Sequence, residues 1–308
     1  MKRGCRIVFA EGEDERILKA SEIIVKKGIA RVILLGDIDK ILSKLKRLKL
    51  RFNVSIINPK TATEKDFYMQ KLYELRRKKG MKTKEAARIV ENPNYFACMM
   101  LYSGDCDAVL SGAVYSTPEM LKPAFQIIRT KRGINRASGA VFLTLKNKTY
   151  LFADVSVQEN PGAEELAEIA KLSAKTFERI TGKKAKIAML SYHTRSYKGK
   201  VSEYFEKVRK AAEIAKKSGL KVDGEIQLDA AIDKRVASRK NIKFIGANVM
   251  IFPNLDAGNI GYKIVKHLAN AKMTGVIIQG LDKPVNDLSK GCSVEDIINL
   301  AGATAKQI

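Results

Sequence analysis

The residues best suited to chemistry lie in one segment near the C-terminus, which reads G-L-D-K-P-V-N-D-L-S-K-G-C-S-V-E-D-I over 280–297. A proline turn is followed by Ser289 and Lys290, then by Cys292, and the carboxylate of Asp296 comes just before an apolar helical pattern. A helix that begins here aims unpaired backbone N–H groups at one point, and Ser289 and Lys290 add a hydroxyl and a positive charge. The segment therefore predicts a site for phosphate or a similar anion.

Asp296 and Cys292 each have two interpretations. The run Ser293-Val-Glu-Asp296 fits the capping-box pattern, in which the aspartate bonds back to the helix start, and local sequence favours that structural role over a general base. Cys292 follows a lysine and precedes a helix, and both features favour a thiolate nucleophile. No histidine lies nearby in the sequence to act as its base, so we interpret Cys292 as a packing or substrate-lining residue.

A second candidate loop reads S-G-A-V-Y-S-T-P-E-M over 111–120. A predicted strand at 108–110 runs through small residues into Ser116 and Thr117, and a proline then opens a helix. Small residues let backbone approach a ligand, and a helix N-terminus favours negative charge, so the loop could cradle an anion. Thr117 before a proline is equally an ordinary helix cap, and local sequence gives the two interpretations equal weight.

A third segment, F-P-N-L-D-A-G-N-I-G-Y-K-I over 252–264, begins a helix after an apolar strand. Asn254 or Asp256 could cap that helix, or the helix start could line a substrate pocket. We assign substrate lining only to Asn259. His193 follows another predicted strand and is interpreted as structural.

The elements that must position these residues alternate between short apolar runs and amphipathic helices. R-I-V-F-A precedes a helix predicted at about 14–27, and R-V-I-L-L-G, V-S-I-I-N and a further helix follow. This alternation predicts an α/β fold with mostly parallel sheets flanked by helices. Over 133–150 the pattern changes to two strands joined by a polar turn at 146–148, which predicts a hairpin. The strand and helix alternation then resumes, which predicts a second α/β domain.

Composition places few limits on function. The chain has 308 residues, of which 45% are apolar, and no stretch approaches the roughly 18 apolar residues of a membrane span. We expect a cytoplasmic protein. The four cysteines lack metal-ligand spacing and only two histidines are present, so free thiols and no metal site are expected.

The net charge of +24 attracts anions of every kind. The lysines are dispersed through helical segments, without an arginine-rich arm or an aromatic-basic RNA motif. Nucleic-acid binding is therefore not expected, whereas attraction of small anionic substrates is compatible with the charge.

The C-terminal run P-V-N-D-L-S-K-G-C-S-V-E-D-I resembles the signature of the phosphate acetyltransferases, or phosphotransacetylases. Four further segments resemble the family in the family's order, so that the resemblance covers essentially the whole chain; they are R-I-V-F-A-E-G-E-D-E-R-I-L-K-A at 6–20, S-G-A-V-Y-S-T-P-E-M-L-K-P-A-F-Q-I-I-R-T-K-R-G at 111–133, D-G-E-I-Q-L-D-A-A at 223–231 and F-P-N-L-D-A-G-N-I-G-Y-K-I at 252–264.

The resemblance implies the fold of the isocitrate and isopropylmalate dehydrogenases, with two α/β domains and an active-site cleft between them. Domain I would comprise 1–132 with 279–308, because the final helix returns to it, and domain II would comprise 133–278. It also implies a homodimer and a reaction without a metal or prosthetic group, in which coenzyme A and acetyl phosphate act as substrates.

For the site, the resemblance implies that Asp296 is the general base for the coenzyme A thiol, which reverses the preference from local sequence. Ser289 would stabilise developing charge, and Arg76 matches an arginine of the family that holds anionic substrate. Lys122 and Lys290 stand where the family usually has arginine, and lysine lacks the planar fork that binds phosphate with two parallel hydrogen bonds. The remaining residues predicted to bind substrate are Ser116, Thr117, Asn259 and Asn286.

The predicted function is therefore reversible acetyl transfer between acetyl phosphate and coenzyme A, by direct thiolate attack in a ternary complex. One alternative is a phosphate butyryltransferase or another enzyme of longer acyl chains. An alternative of another class is a non-catalytic acyl-CoA sensor, because two expected arginines are replaced. Nucleic-acid binding ranks third.

Overall fold

The computed structural model describes residues 4–194 and 202–308, which form two compact α/β units. The strands, in chain order, are β1 (Arg6–Phe9), β2 (Arg31–Leu35), β3 (Ser55–Ile57), β4 (Ala108–Ser111), β5 (Ser138–Leu145), β6 (Lys148–Ala153), β7 (Ile187–Leu190), β8 (Val222–Ile226), β9 (Val249–Ile251), β10 (Lys272–Gln279) and β11 (Val285–Asp287). The helices are α1 (Glu15–Lys26), α2 (Ile38–Arg47), α3 (Lys65–Arg76), α4 (Thr83–Ile89), α5 (Pro93–Ser103), α6 (Thr117–Pro123), α7 (Ala163–Thr181), α8 (Glu203–Lys217), α9 (Leu228–Ile232), α10 (Lys234–Arg239), α11 (Leu255–Leu268) and α12 (Val294–Gln307).

Unit 1 comprises Met1–Arg132, Gly275–Ile277 and Leu281–Ile308. Its sheet has the order β11-β4-β1-β2-β3, and each neighbouring pair is parallel. The predicted alternation of strands and helices is confirmed here, and α12 returns to pack against α1. All polar loops that follow the strands of a parallel sheet meet at one edge, which is where α/β proteins place their ligand sites.

The central strands β1 and β4 of this sheet are covered on both faces. Ile7, Val8 and Phe9 are fully buried, as are the four residues of β4. A strand buried on both faces reads as a continuous apolar run rather than an alternating one. Asp14 caps the start of α1, because its Oδ1 accepts a hydrogen bond of 2.8 Å from the backbone N–H of Arg16. The helix buries Ile17, Leu18 and Ile24 on one face.

Unit 2 comprises Gly133–Thr274 and Ile278–Gly280, around a sheet of order β10-β5-β6-β9-β7-β8. The predicted hairpin is confirmed: β5 and β6 pair antiparallel through Lys146 and Asn147, both of which have positive φ. Two such residues in sequence make the tight turn whose twist suits a hairpin. The pairs β6–β9, β9–β7 and β7–β8 are parallel, so this sheet is also mostly parallel.

The expected free thiols are confirmed, since Cys5, Cys98, Cys106 and Cys292 are all unbridged and buried. Among the described residues, no helix has the length and apolar content needed to cross a membrane.

Candidate active site

Three neighbouring strands of unit 1 end side by side and bring three distant loops together. Phe9 of β1 is in register with Leu110 of β4, and Ser111 of β4 is in register with Asp287 of β11. The loops that follow carry Glu11, residues 112–117 and residues 288–292. The candidate site is assembled at this edge, from two segments in which the sequence predicts site residues and one in which it predicts none.

Glu11 fills the loop for which an anion cradle and an ordinary helix cap had equal weight. Its two carboxylate oxygens accept the backbone N–H groups of four consecutive residues, Gly112 at 3.1 Å, Ala113 at 2.8 Å, Val114 at 2.7 Å and Tyr115 at 2.7 Å. Glu11 is only 7% exposed. Consecutive N–H groups that converge in this way form a nest for an anion, and here the anion belongs to the protein.

Asp287, the last residue of β11, lies against the same loop. Its Oδ2 accepts a hydrogen bond of 2.6 Å from the hydroxyl of Thr117, and its Oδ1 has no hydrogen-bond partner among the described residues. Burial raises the pKa of Asp287 to about 7; the Thr117 hydroxyl lowers it and the nearby carboxylate of Glu11 raises it further. Gly112 makes this packing possible, because a Cβ at that position would lie 2.0 Å from Oδ1.

Arg16 connects the loop to the turn after β11. One of its terminal nitrogens, Nη2, donates to the carbonyl of Ala113 at 2.9 Å, and the other, Nη1, donates to the carbonyls of Lys290 at 2.6 Å and Cys292 at 3.1 Å. Asp14 holds the guanidinium through two further bonds, of 3.0 Å to Nε and 2.7 Å to Nη2. The planar fork of arginine suits this work, since its donors point in fixed directions.

The turn itself leads directly into α12. The N–H of Cys292 donates to the carbonyl of Ser289 at 2.8 Å, which closes the turn. The capping box is present: Ser293 N–H donates to Asp296 Oδ2 at 3.0 Å, and Asp296 N–H donates to Ser293 Oγ at 3.1 Å. Asp296 therefore has the structural role that local sequence favours, and its half-buried carboxylate lies one turn beyond Ser289 and Lys290.

The other residues predicted to bind substrate in unit 1 already form hydrogen bonds within the protein. Ser116 donates from its N–H and its hydroxyl to Glu119, at 2.7 and 2.6 Å, in a capping box for α6. Asn286 is fully buried, and its Nδ2 donates to Thr304 and Gln307 of α12. These bonds, like that from Thr117 to Asp287, hold the protein together, so direct contact with a substrate stays a prediction.

A model of one protein family, described as phosphate acetyl/butaryl transferase, matches residues 1–305. The chain belongs to this family. Phosphate acetyltransferases from Clostridium acetobutylicum and Thermoanaerobacterium thermosaccharolyticum are 44% and 43% identical to it, and each alignment covers 98% of this chain and 94% of the relative. As a phosphate acetyl/butaryl transferase, the chain is an acyltransferase.

Solved structures agree with this membership. A phosphotransacetylase from Streptococcus pyogenes has a TM-score of 0.91 and 39% identity, over 100% of this chain and 94% of that one. The EutD phosphotransacetylase from Staphylococcus aureus has a TM-score of 0.88 and 40% identity, over 99% and 94%. A 4-hydroxythreonine-4-phosphate dehydrogenase from Burkholderia phymatum, at 10% identity and a TM-score of 0.58 over 99% of this chain and 98% of that one, shares the fold alone.

Within this phosphate acetyl/butaryl transferase, the three cations predicted to hold substrate lie in different settings. Lys290 and Lys122 are exposed, and the charge of Lys290 reaches the capping box of α6, where it is a minor cause of the lowered pKa of Glu119; the hydrogen bond from Ser116 is the first cause. Arg76 ends α3 beside Tyr95 of α5, and its buried Nε has no hydrogen-bond partner among the described residues. Both lysine side chains are exposed to solvent and are therefore accessible to a ligand.

Cys292, interpreted from sequence as a packing or substrate-lining residue, is buried. It is 5% exposed, and burial raises the pKa of its thiol to about 11, against the opposing charge of Arg16. A thiol with that pKa is almost wholly protonated at neutral pH and is a poor nucleophile. This geometry favours direct transfer over an acyl-cysteine intermediate.

Asn259 lies in unit 2, near the start of α11. Its Nδ2 donates to the carbonyl of Val155 at 2.9 Å, next to a second buried carboxylate. Asp154 is 1% exposed and accepts four backbone N–H groups, those of Gly139, Ser156, Val157 and Gln158. Asn259 thus supports a loop that holds its own internal anion, and its contact with substrate stays a prediction.

Replacing Lys290 by arginine should preserve or raise turnover, because its backbone carbonyl, not its side chain, is bonded to Arg16 and its exposed side chain has room for the larger group. Arginine would add the two parallel hydrogen bonds to phosphate that lysine lacks, worth about 1.5–3 kcal/mol for a charge-assisted bond. Steady-state kcat and KM for the acyl phosphate measure the effect, with Lys175→Arg in α7 as a control for the exchange itself. Loss of turnover with an intact fold would show that the turn requires lysine.

Proposed function

We propose that the chain catalyses reversible acetyl transfer between acetyl phosphate and coenzyme A, at the edge of the unit 1 sheet where Ser289, Lys290 and Asp296 lie. The observation that carries the proposal is the juxtaposition of a hydroxyl, a free cation and a carboxylate at the start of α12, within a family of phosphate acyltransferases. Sequence relatives over nearly the whole chain carry the acetyltransferase name.

In the proposed reaction Asp296 takes the proton of the coenzyme A thiol, and the thiolate sulfur attacks the acetyl carbon of acetyl phosphate. The bond between that carbon and the phosphate oxygen breaks, phosphate leaves, and a thioester remains. Ser289 stabilises charge on the acetyl oxygen during attack, and Lys290, Lys122 and Arg76 hold anionic groups. Positioning and electrostatic stabilisation supply the rate, without a metal or prosthetic group.

Acetyl is the proposed acyl group because the relatives at 41–44% identity are phosphate acetyltransferases, from Clostridium acetobutylicum to Staphylococcus aureus. A branched-chain phosphotransacylase from Enterococcus faecalis is only 18% identical, with a TM-score of 0.69 over 99% of this chain and all of that one. The fold is shared with the branched-chain enzyme, whereas the detailed sequence follows the acetyl enzymes.

The experiment that tests the proposal supplies coenzyme A with acetyl, propionyl or butyryl phosphate in parallel and follows thioester absorbance in the ultraviolet. Turnover is expected to be fastest with acetyl phosphate. Preference for butyryl phosphate would favour the longer-chain alternative. Folded protein that binds acyl-CoA but forms no thioester from any of them would favour the sensor.

We further propose a cytoplasmic enzyme of acetate metabolism that works as a homodimer. An exposed apolar stripe along α11 supports the dimer: Ile260, Ile264 and Leu268 are spaced by four residues and are 56%, 51% and 81% exposed. Residues four apart share one helix face. Leu228 and Ile232 of α9, also exposed, border the groove beside this helix. Attraction of anionic substrates is the proposed consequence of the +24 charge, with no role for nucleic acid.

Replacing Ile264 by lysine should convert a dimer to a monomer, because a charge at the centre of an apolar interface costs several kcal/mol to desolvate. Light scattering after size exclusion gives the mass. Leu42→Lys is the matched control, since Leu42 is an exposed apolar residue of α2, 50% accessible. A dimer that survives Ile264→Lys, or a wild-type monomer, would contradict this assignment of the interface.

A further inference from the structure

The carboxylate of Glu11 accepts the backbone N–H groups of a loop that could otherwise bind an external anion. Residues 112–115 donate four N–H bonds of 2.7–3.1 Å to its two oxygens. Oε1 accepts the bonds from Gly112, Val114 and Tyr115, and Oε2 accepts the bond from Ala113, so all four N–H groups are already bonded to Glu11. A phosphate ion therefore cannot use these N–H groups while Glu11 is in place.

The loop held by Glu11 in turn fixes the groups around the proposed reaction centre. The carbonyl of Ala113 accepts from Arg16, which also donates to the carbonyls of Lys290 and Cys292. Thr117, two residues beyond the nest, donates to Asp287 at the start of the same turn. A shift of the loop would thus be transmitted to the turn by two independent hydrogen-bond routes, one from Arg16 and one from Thr117.

We propose that Glu11 is a positioning residue for acyl transfer: a built-in anion that sets the shape of loop 112–117 and, through Arg16 and Thr117, the position of the turn that carries Ser289 and Lys290. The inference rests on the proposed reaction at that turn. In this proposal Glu11, which is only 7% exposed, acts through these hydrogen bonds and not by contact with substrate.

Two substitutions of Glu11 separate the effect of the side chain's charge from that of its shape. Glu11→Gln keeps the shape, but its amide NH₂ group would face backbone N–H donors, so only one of its two heavy atoms can accept hydrogen bonds. Glu11→Asp keeps the charge on a shorter side chain. If the anion is what orders the loop, Glu11→Asp should keep more of the wild-type kcat than Glu11→Gln, although glutamine is the closer match in shape.

Glu11→Ala gives the strongest test, because it removes the acceptor of four N–H groups, two of them buried, and leaves a space the size of a carboxylate. Each unpaired buried donor is destabilising, so a small carboxylate from solution should occupy the nest. We expect kcat to fall by about 10- to 100-fold, with KM for coenzyme A changed by less than about threefold, as for a residue that aligns the reacting groups without binding substrate. Formate should restore kcat saturably, whereas chloride at equal ionic strength and pivalate, which is too large, should not.

The same anions can be tested in a thermal-unfolding assay, which does not depend on turnover. Formate should raise the Tm of Glu11→Ala and leave that of the wild type unchanged, because only the variant has an open nest. The nest is therefore tested separately from acyl transfer. A wild-type protein without turnover would contradict the proposed reaction, whereas the change in Tm with formate would still show whether the nest of Glu11→Ala binds a carboxylate.

Equal kcat in Glu11→Gln and the wild type would overturn the proposal. So would a Glu11→Ala protein that neither gains Tm nor regains kcat with formate. If Glu11→Ala does not fold, the ranking of Glu11→Asp above Glu11→Gln in kcat decides, and the reverse ranking overturns it.

Discussion

The Asp296→Asn variant should turn over about 10²- to 10⁴-fold more slowly than the wild type while it remains folded, because a positioned general base is worth that much in rate. A thiol with a pKa near 8.5 is ionised to only a few per cent at neutral pH, so the enzyme must remove its proton. The deficit should shrink as the pH approaches about 8.5 and the thiol ionises unaided. Profiles of kcat against pH for both proteins, with Tm recorded under the same conditions, measure both effects.

Ser293→Ala is the matched control for the capping role. It removes the hydroxyl that accepts the Asp296 N–H at 3.1 Å and leaves the carboxylate in place. Loss of a cap typically costs about 1 kcal/mol of stability, and kcat should stay within about threefold of the wild-type value. If Ser293→Ala and Asp296→Asn lose turnover equally, the cap explains both results and the base must be sought elsewhere.

Replacing Asp287 by asparagine should make the protein more stable than the wild type near pH 8 and change its stability little near pH 4. The carboxyl is 3% exposed and its pKa is raised from an ordinary value of 3.8 to about 7. The native state then binds a proton more tightly than the unfolded chain, so wild-type stability falls as pH rises from about 4 to about 7 and stays low above that. The full difference is about 4 kcal/mol, since each pKa unit corresponds to about 1.4 kcal/mol.

The measurement is the free energy of unfolding in urea across that pH range for both proteins. Thr117→Val provides an opposite control: it removes the hydroxyl that stabilises the ionised carboxylate, so its stability should fall more steeply with pH than that of the wild type. Parallel curves for the wild type and Asp287→Asn would show that the pKa of Asp287 is the same in the native and unfolded states.

The fold could be predicted because its determinants are local. The buried run at 6–9, the cap at Asp14 and the apolar face of α1 all lie within twenty residues of sequence, and similar units recur along the chain. The hairpin was likewise visible in a short polar turn between apolar strands. The order of strands in each sheet could not be read from these patterns, since it depends on pairings between segments far apart in sequence.

The site was predictable only in part, for the same reason. Sequence reasoning finds Ser289, Lys290 and Asp296, which lie within eight residues. It misses Glu11 and Arg16, whose partners are about 100 and more than 270 residues away. The available signal was the polar run E-G-E-D-E-R directly after a buried strand, where a parallel sheet collects its loops. Asp287 lies within the C-terminal signature, but sequence reasoning selected only its neighbours as site residues.

Glu11 in unit 1 satisfies four N–H groups of a loop that follows a strand, and Asp154 in unit 2 satisfies three such N–H groups and one of β5. Loops whose donors are saturated by the chain itself reach their final conformation during folding, before any substrate arrives. Their ordering entropy is then absent from the binding step, where an unfilled cradle would have to lose it. Encounter with coenzyme A and acyl phosphate should accordingly proceed without a slow ordering of these two loops.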